Sequence, residues 1–350
     1  MWLPGDHACV LFGRLRMSLN LVGEAFPLRM GHEGRLAMQE KLLKALALEA
    51  NAAHSGFLRG LDSAQEEFLS ERWLQEPVDW GHGDTLLVLE EGEERDWLLT
   101  GEDHVRLGAR GAPERLGQLA ASLDRSARLL EKEPGIAVDG QGRRLVANPF
   151  LCGSGCHAAL MLHLPALAWW GQVEEQLDPL YDQGLGYRTW QEGLGDFLVL
   201  ESLRGEDAPI PPSQDTSQAG RPVGDAAGLA SRTLSRLLAA VAHLEEAEEA
   251  ARAQLRRHRR LELEDRVHRA HASCRSARLM GYPELVEHIS MLRLGRQMAG
   301  SGLHLPEEGA ALTPLLLHLA PAHLEARSDA GRDGRQASAL RARLLRAEMS

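Results

Sequence analysis

The sequence predicts a mixed α+β domain followed by a helical domain, and three observations support this division. Strand-like runs alternate with amphipathic segments up to residue 205, a stretch rich in proline, serine and glycine occupies 206–226, and helical periodicity dominates 227–350. A chain of 350 residues is also longer than one hydrophobic core usually serves. We therefore predict an α+β domain over 1–205, a linker or long surface loop over 206–226, and a helical domain over 227–350.

The first predicted strand is 8–22, where the alternation of side chains places Arg14 and Arg16 on one face. A pair of arginines on a surface strand is by itself a weak signal. Four further segments have the apolar character of short strands, namely 85–90, 96–107, 144–147 and 197–203.

Leucines at helical spacing predict helices over 33–75 and 112–133, and a third helix is expected near 155–181. In the last part of the chain, a long helix carries glutamates in its first half and arginines in its second. This order suits the helix dipole. Segments 261–298 and 311–345 are also predicted to be mostly helical.

The net charge of −11 is distributed unevenly along the chain. Residues 1–226 carry a net charge of −15, whereas residues 227–350 carry +4. Binding to a phosphate backbone requires a concentrated positive surface, so this balance argues against a nucleic-acid-binding protein.

We predict a cytoplasmic protein without a membrane segment. The N-terminus has neither a basic region nor a following apolar run, so no signal peptide is expected. The longest apolar stretch, 158–170, is too short to span a bilayer. Four cysteines in a chain of this length do not indicate a disulfide framework.

The segment 96–106 is the most informative for chemistry. If it is a single extended strand, Glu102, His104 and Arg106 line one face of it. A carboxylate, an imidazole and a guanidinium on one face could form a catalytic site, and they could equally form a structural network of ion pairs. The residue types alone leave both interpretations open.

The loop 148–157 is a second candidate region. Its glycines could let backbone N–H groups approach an anion at the start of the helix expected to follow. The Cys-x3-Cys-His cluster of Cys152, Cys156 and His157 lacks the spacing and the second ligand pair of a zinc site, so we predict no metal site. Cys152 could act as a nucleophile if its pKa were lowered.

Three motifs occur in order along the chain: Arg-x-Arg at 14–16, Glu-Asp-His-x-Arg at 102–106, and Gly-Ser-Gly-x-x-Ala-x-x-Met-Leu-His-Leu-Pro-Ala-Leu at 153–167. Together they resemble the ATP:guanido phosphotransferases, and the bacterial protein-arginine kinases within that family fit best. Segments 263–269 and 286–295 resemble the C-terminal helices of the same group. The likeness covers most of the chain and excludes the proline-rich insert.

The resemblance implies an antiparallel sheet flanked by helices, and transfer of the γ-phosphoryl group of Mg-ATP to a guanidinium nitrogen. In the family, arginines surround the phosphates and carboxylates orient the guanidinium and accept its proton. The resemblance further implies ATP and Mg²⁺ as ligands, arginine or an arginine-containing protein as substrate, a homodimer through the helical domain, and a Clp-type quality-control partner. The phosphate-binding arginines map to Arg14, Arg16, Arg106 and Arg188, and the catalytic carboxylate to Glu102.

Several positions depart from the family pattern. Asn148 stands where the family has its active-site cysteine, and Cys152 lies four residues later. His157 replaces a fifth phosphate-binding arginine, and Glu192 is only the nearest residue to a displaced second carboxylate. In the second domain, Gln336 replaces the second arginine of the phosphoarginine-binding motif.

These departures predict impaired catalysis. Removing one preorganised charge-stabilising group costs roughly 10²–10³ in rate, and three losses could approach 10⁶, although such effects are rarely additive. We therefore predict a nucleotide- or arginine-binding pseudokinase. The alternatives are an active guanidino kinase in which Cys152 or Cys156 replaces the lost thiol and Glu192 moves in, and a non-kinase scaffold whose arginines are all structural.

Overall fold

The structure, a computed structural model, describes residues 9–46, 52–74, 84–190, 196–205, 228–298, 304, 311–327 and 334–350. Its centre is an eight-stranded antiparallel sheet with the order β2-β3-β4-β5-β1-β6-β8-β7. The strands are β1 (Val10–Leu19), β2 (Ala52–Phe57), β3 (Leu86–Glu90), β4 (Arg95–Leu99), β5 (Val105–Gly111), β6 (Cys156–His163), β7 (Leu185–Thr189) and β8 (Phe197–Ser202).

Eleven α-helices in the described residues surround and follow the sheet. They are α1 (His32–Leu46), α2 (Ser63–Glu71), α3 (Leu116–Lys132), α4 (Pro165–Trp170), α5 (Val173–Leu177), α6 (Leu229–His258), α7 (Arg260–Ser276), α8 (Tyr282–Gln297), α9 (Leu312–His318), α10 (Pro321–Arg327) and α11 (Gly334–Glu348). The expected fold class, an antiparallel sheet flanked by helices and followed by a helical region, is confirmed.

The two faces of the sheet differ sharply in chemistry. One face is apolar, and α3 and α6 pack against it. Two strand glycines allow α3 to approach closely, since a Cβ at Gly13 or Gly111 would meet the side chains of Leu116 and Leu119 at 2.8 Å. The opposite face carries the arginines described below.

The helical region and the sheet share one continuous cluster of buried apolar side chains. Helix α6 lies against β1, β6 and β8, so the apolar stripe that predicted it from sequence is buried on the sheet. The predicted linker 206–226 lies outside the described residues, and the division into domains at its ends stays a prediction.

Three predicted elements are wrong. The helix expected over 33–75 is interrupted by β2, which forms an edge strand on β3. The expected helix near 155–181 begins as strand β6; because both faces of this strand are buried, its apolar run lacks the alternation that marks a half-exposed strand. Segment 144–147 contributes only isolated bridges, through Arg144.

The strand expected over 96–107 is divided by a turn. Strand β4 ends at Leu99, Thr100 has a positive φ of 53°, and its N–H donates to the carbonyl of His104 at 2.8 Å. Strand β5 then runs back antiparallel to β4. Glu102 and His104 therefore lie on a turn, and Arg106 lies on the strand that follows it.

In the described residues, no helix combines the length and the apolar character needed to cross a membrane.

Candidate functional site

Four arginines lie on one face of the central strands. In the antiparallel register, Arg14 of β1 stands opposite Arg110 of β5, and Ser18 stands opposite Arg106. Arg16 lies between Arg14 and Ser18 on the same face, and its partner on the other side is His157 of β6. All four arginines are buried, and the face concentrates positive charge at the middle of the sheet.

Arg188 of β7 belongs to the same face, three strands away from β1. It pairs with Val199 of β8, Val199 pairs with Met161 of β6, and Met161 pairs with Phe12 of β1. Phe12 is two residues before Arg14, so the register places Arg188 on the arginine side of the sheet. Its side chain is largely exposed at the sheet edge.

Sequence reasoning missed Arg110. It is completely buried and donates to Asp96 at 2.6 Å, while burial lowers its pKa to about 10. A signal was present, because residues four apart on a strand share a face and Arg110 follows Arg106 at that spacing. The ion pair with Asp96 makes Arg110 a structural support for the face.

The structure brings five of the predicted site residues together around one cleft of about 210 Å³. They are Arg16, Glu102, Arg106, Asn148 and His157. We call this space the Glu102 cleft. Its remaining walls come from Ser18, Leu98, Gly101, Asp103, Leu151 and Gly155.

The two residues after Glu102 fix the turn on which it lies. The Asp103 carboxylate is buried and accepts hydrogen bonds from Asn20 Nδ2 at 2.6 Å and from the Ala147 N–H at 2.7 Å. Burial nevertheless raises its pKa. His104 Nδ1 accepts from the Leu21 N–H at 2.9 Å, so Nε2 carries the proton and donates to the Ala25 carbonyl at 2.7 Å.

Burial lowers the pKa of His104, which favours this neutral form of the ring. His104 therefore serves the fold, whereas the neighbouring Glu102 is exposed and lines the cleft. Glu102 and His104, which the sequence predicted on one strand face, thus have different roles.

Asn148 lines the Glu102 cleft at the position where the family has its cysteine. Its Oδ1 accepts from the Phe150 N–H at 3.0 Å, which caps a short 3-10 helix, Pro149–Leu151. Cys152 follows that turn and directs its thiol toward the Val146 carbonyl at 3.5 Å.

Neither Cys152 nor Cys156 is among the residues that line the Glu102 cleft. Cys156 is buried, with its thiol 3.5 Å from the Ser154 carbonyl. The loop leads into β6, so the helix N-terminus that the sequence suggested as an anion site is absent here, where the structure describes every residue.

A second cleft of about 290 Å³ lies between the arginine face and the helical region. Its polar lining combines Arg14 and Arg188 with Glu67, Ser70 and Glu71. Three aromatic residues, Trp73, Trp190 and Tyr282, also line it. We call it the aromatic cleft.

Trp73 and Leu74 lie close to the arginines of β1. The Arg14 guanidinium is 5.4 Å from the centre of the Trp73 ring, and Arg16 donates to the Leu74 carbonyl at 3.3 Å. These contacts hold the segment that follows α2 against the arginine face.

His157 and Arg188 are joined through a residue that sequence reasoning did not single out. The Glu201 carboxylate on β8 lies 3.5 Å from His157 Nε2 and 3.7 Å from Arg188 Nε. Burial lowers the pKa of His157, and the nearby Glu201 partly opposes that shift. One carboxylate therefore stands between two of the predicted phosphate-binding groups.

Glu192 and the first residues of the motif at 332–337 lie outside the described residues, so their predicted roles stay predictions. In the described part of the chain, no group of three or more His, Cys, Asp or Glu side chains is arranged to hold a metal ion.

Comparison with known proteins identifies the relatives of this chain. A family model described as the protein-arginine kinase McsB C-terminal domain matches residues 260–350. A protein-arginine kinase from Moorella thermoacetica is 27% identical over 314 residues, covering 85% of this chain and 83% of its own length. Another from Symbiobacterium thermophilum is 28% identical over 363 residues, covering 98% and 96%. The family model and these relatives support the ATP:guanido phosphotransferase family for this chain.

Two solved kinase structures share the fold of this chain at low sequence identity. Lombricine kinase has a TM-score of 0.52 with 16% identity, covering 70% of this chain and 67% of its own. A duplicated taurocyamine kinase from Schistosoma mansoni with bound transition-state-analog components has a TM-score of 0.52 and 16% identity, covering 69% of this chain. The match spans 33% of that duplicated chain.

The resemblance that the three sequence motifs carry is therefore confirmed, and the conditional enzyme class agrees with the relatives. The curated relatives carry the name protein-arginine kinase. If this chain transfers a phosphoryl group, the corresponding enzyme class is therefore guanidino kinase, a transferase.

Proposed function

We propose that this guanido-kinase-family protein binds Mg-ATP on its arginine face and has lost most of its capacity for phosphoryl transfer. The observation that carries the proposal is the composition of the Glu102 cleft. It combines Arg16, Arg106 and Glu102 with Asn148, and its described lining contains no cysteine.

The arginine face supports nucleotide binding. Guanidinium groups recognise phosphate oxygens through paired N–H donors, and such charge-assisted hydrogen bonds are roughly twice as strong as neutral ones. Arg14, Arg16 and Arg106 would hold the phosphates at the centre of the sheet, and Arg188 would hold them at its edge. Mg²⁺ prefers phosphate and carboxylate oxygens and would enter on the nucleotide.

The aromatic cleft offers a place for the base. Trp190 is partly exposed and lines this cleft together with Arg14 and Arg188, so a nucleotide with its phosphates on these arginines would bring its base close to the Trp190 ring. Aromatic rings stack on nucleobases through their faces, without needing a particular base.

Glu102 supports a role toward the guanidinium group. Its carboxylate is exposed at the cleft while Asp103 and His104 hold the turn, so it can orient a cationic group beside the phosphates. The net charge of −15 over residues 1–226 would attract such a substrate. Arginine or an arginine-containing protein is therefore the proposed substrate class.

The impairment follows from two substitutions. The Asn148 side chain is neutral and its oxygen already caps a 3-10 helix, so it cannot act as the thiolate of the family does. His157 is neutral at the position of a phosphate-binding arginine, because burial lowers its pKa. Each loss of a charge-stabilising group costs roughly 10²–10³ in rate.

The expected cytoplasmic location, the homodimer through the helical region and the Clp-type partner stay part of the proposal. They rest on the family resemblance and on the bacterial relatives named protein-arginine kinase.

Calorimetric titration with Mg-ATP tests the binding half of the proposal. We expect saturable binding that weakens at least tenfold in Arg106→Ala, since a charged hydrogen-bond donor to phosphate contributes about 1.5–3 kcal/mol. Arg125→Ala is the matched control, because Arg125 is exposed on α3, away from the arginine face. Equal affinities for wild type and Arg106→Ala would instead favour a scaffold whose arginines are structural.

Incubation with γ-labelled ATP and an arginine-rich protein tests the impairment. We expect no acid-labile label on arginine above the reaction without protein. Label that appears with wild type and disappears in Cys152→Ser would establish the alternative, an active kinase with a rearranged thiol.

A further inference from the structure

We propose that Glu201 sets the charge of the phosphate site by neutralising its outer end. The phosphates of a nucleotide would then be held by Arg14, Arg16 and Arg106 at the centre of the sheet, and only weakly at the sheet edge. This inference rests on the proposed nucleotide binding and concerns a residue that lowers the affinity for the nucleotide.

The strand register gives Glu201 its position. It stands opposite Ala159 of β6 and Gly186 of β7, and Ala159 in turn stands opposite Arg14. This register directs the Glu201 side chain to the arginine face. The carboxylate consequently occupies the same row across the sheet as the Arg14 side chain.

The two carboxylate oxygens are directed to different partners. Oε1 lies 3.7 Å from Arg188 Nε, and Oε2 lies 3.5 Å from His157 Nε2. With His157 neutral through burial, Arg188 and Glu201 together carry no net charge. A site with arginines at both of these positions and no carboxylate would carry two positive charges there.

Asp96, another acidic residue of the described strands on this face, plays a different part. Asp96 holds Arg110 at 2.6 Å, and both side chains are almost fully buried, so that pair is out of reach of a ligand. The Glu201 side chain is 21% exposed and that of Arg188 is 46% exposed, at longer distances. Glu201 is therefore an acid that a phosphate bound between His157 and Arg188 would meet.

The size of the effect follows from Coulomb's law. A unit charge about 5 Å from a phosphate contributes an affinity change of about tenfold when the effective dielectric constant lies between that of water and that of a protein surface. Because both partners are partly exposed, salt should weaken the effect.

The test compares nucleotide affinities of wild type and Glu201→Gln, which keeps the shape of the side chain and removes its charge. We expect Mg-ATP to bind about tenfold more tightly to the variant. The affinity for metal-free ATP should increase more, because metal-free ATP carries more negative charge. Both increases in affinity should be smaller in about 0.5 M salt, which screens the charges. Glu249→Gln is the matched control, since Glu249 forms an exposed ion pair with Arg256 at 3.0 Å on α6.

Two further variants keep the inference falsifiable. The double variant His157→Arg/Glu201→Gln should bind Mg-ATP more tightly than Glu201→Gln does. Glu201→Ser is a second way to remove the carboxylate if the glutamine variant folds poorly. Affinities unchanged by Glu201→Gln and Glu201→Ser would overturn the inference, as would weaker binding confined to Mg-ATP, which would make Glu201 a metal ligand.

The outcomes separate this inference from the proposed function. If Arg106→Ala weakens Mg-ATP binding and Glu201→Gln leaves it unchanged, only the role of Glu201 is wrong. If no variant binds ATP in either form, nucleotide binding and the role of Glu201 both fail.

Discussion

Glu102 is exposed, and the residues that position it are buried. Asp103 and His104 anchor the turn to Asn20, Leu21 and Ala147, and these anchors are hydrogen bonds made below the surface. The position of Glu102 is therefore set largely by the buried residues that follow it on the turn. The residues that position Glu102 are thus different from the residues that line the cleft around it.

Replacing Asp103 tests this support. Asp103→Ala leaves the Asn20 amide and the Ala147 N–H without their buried acceptor, so we expect the free energy of unfolding to fall by about 2–4 kcal/mol. Urea denaturation measures the change. Asp182→Ala, at an exposed position, is the control and should alter the unfolding free energy by less than about 0.5 kcal/mol. Equal effects of the two substitutions would contradict the assigned role.

Single residues of the site were predictable to different degrees. Arg14, Arg16 and Arg106 follow from sequence because a motif and an alternating strand both point to them. Glu201 could not be predicted in this way, because its role depends on its position across the sheet from Arg14. The order of the strands cannot be read from local sequence.

At the scale of secondary-structure elements, carboxylates from distant segments cap helices that lack their own capping side chains. Asp124 on α3 accepts from the N–H groups of Ala230 and Ser231 at the start of α6, at 2.9 and 3.1 Å. Glu248 on α6 likewise accepts from Ala166 and Leu167 at the start of α4, at 3.0 and 2.9 Å. These contacts tie the helical region to the elements around the sheet.

Removing one such cap should loosen α6. Asp124→Ala takes away the acceptors for two N–H groups and for the Ser231 hydroxyl, and we expect a loss of about 1–2 kcal/mol in the free energy of unfolding. Hydrogen exchange should accelerate first in the N-terminal turns of α6. Unchanged exchange there would show that Asp124 does not stabilise the helix start.

His163 connects β6 with α8 and makes stability depend on pH. Its Nε2 lies 2.9 Å from Ser290 Oγ, and burial together with Arg293 and Arg252 holds its pKa well below the usual value. The unfolded chain takes up a proton near pH 6.5 and the folded chain does not, so the free energy of unfolding should decrease as the pH falls from about 7 to 5.

Chemical denaturation across this range, with wild type and His163→Gln, measures the effect. The glutamine variant should show a shallower slope of unfolding free energy against pH. Some slope should remain, because burial also lowers the pKa of His104 and His157. Parallel curves for the two proteins would rule out His163 as a contributor.

Element prediction from sequence succeeded where periodicity was strong. Helix α3 has leucines on one face, and α6 has both an apolar stripe and an ordered charge distribution. It failed for β6, which is buried on both sides, and for β2, which is an edge strand held by backbone pairing with β3. These strands exist because of neighbours that are distant in sequence.

At the scale of the whole molecule, the sheet and the helical region share a core. Leu237 and Leu244 of α6 are fully buried, as is Leu160 of β6, and all belong to one continuous cluster. Separating the two regions would expose the apolar face of the sheet.

We expect the chain to unfold in urea as a single cooperative unit. Circular dichroism, which follows the helices, and tryptophan fluorescence should give coincident transitions. A fragment of residues 1–227 should be poorly soluble, since it lacks the helix that covers the sheet. Two separate transitions, or a soluble and folded fragment, would instead support independent domains.

The property we propose for the whole chain is nucleotide binding without efficient phosphoryl transfer. Transfer from γ-labelled ATP to an arginine-rich protein tests it, measured for wild type beside Asn148→Cys/His157→Arg, which introduces the residues that the guanido kinases have at these two positions. We expect no acid-labile arginine label above background for wild type, and label at least about 10²-fold above the wild-type level for the double variant. Equal rates of label formation by the two proteins would instead show that the wild-type chain is an active kinase.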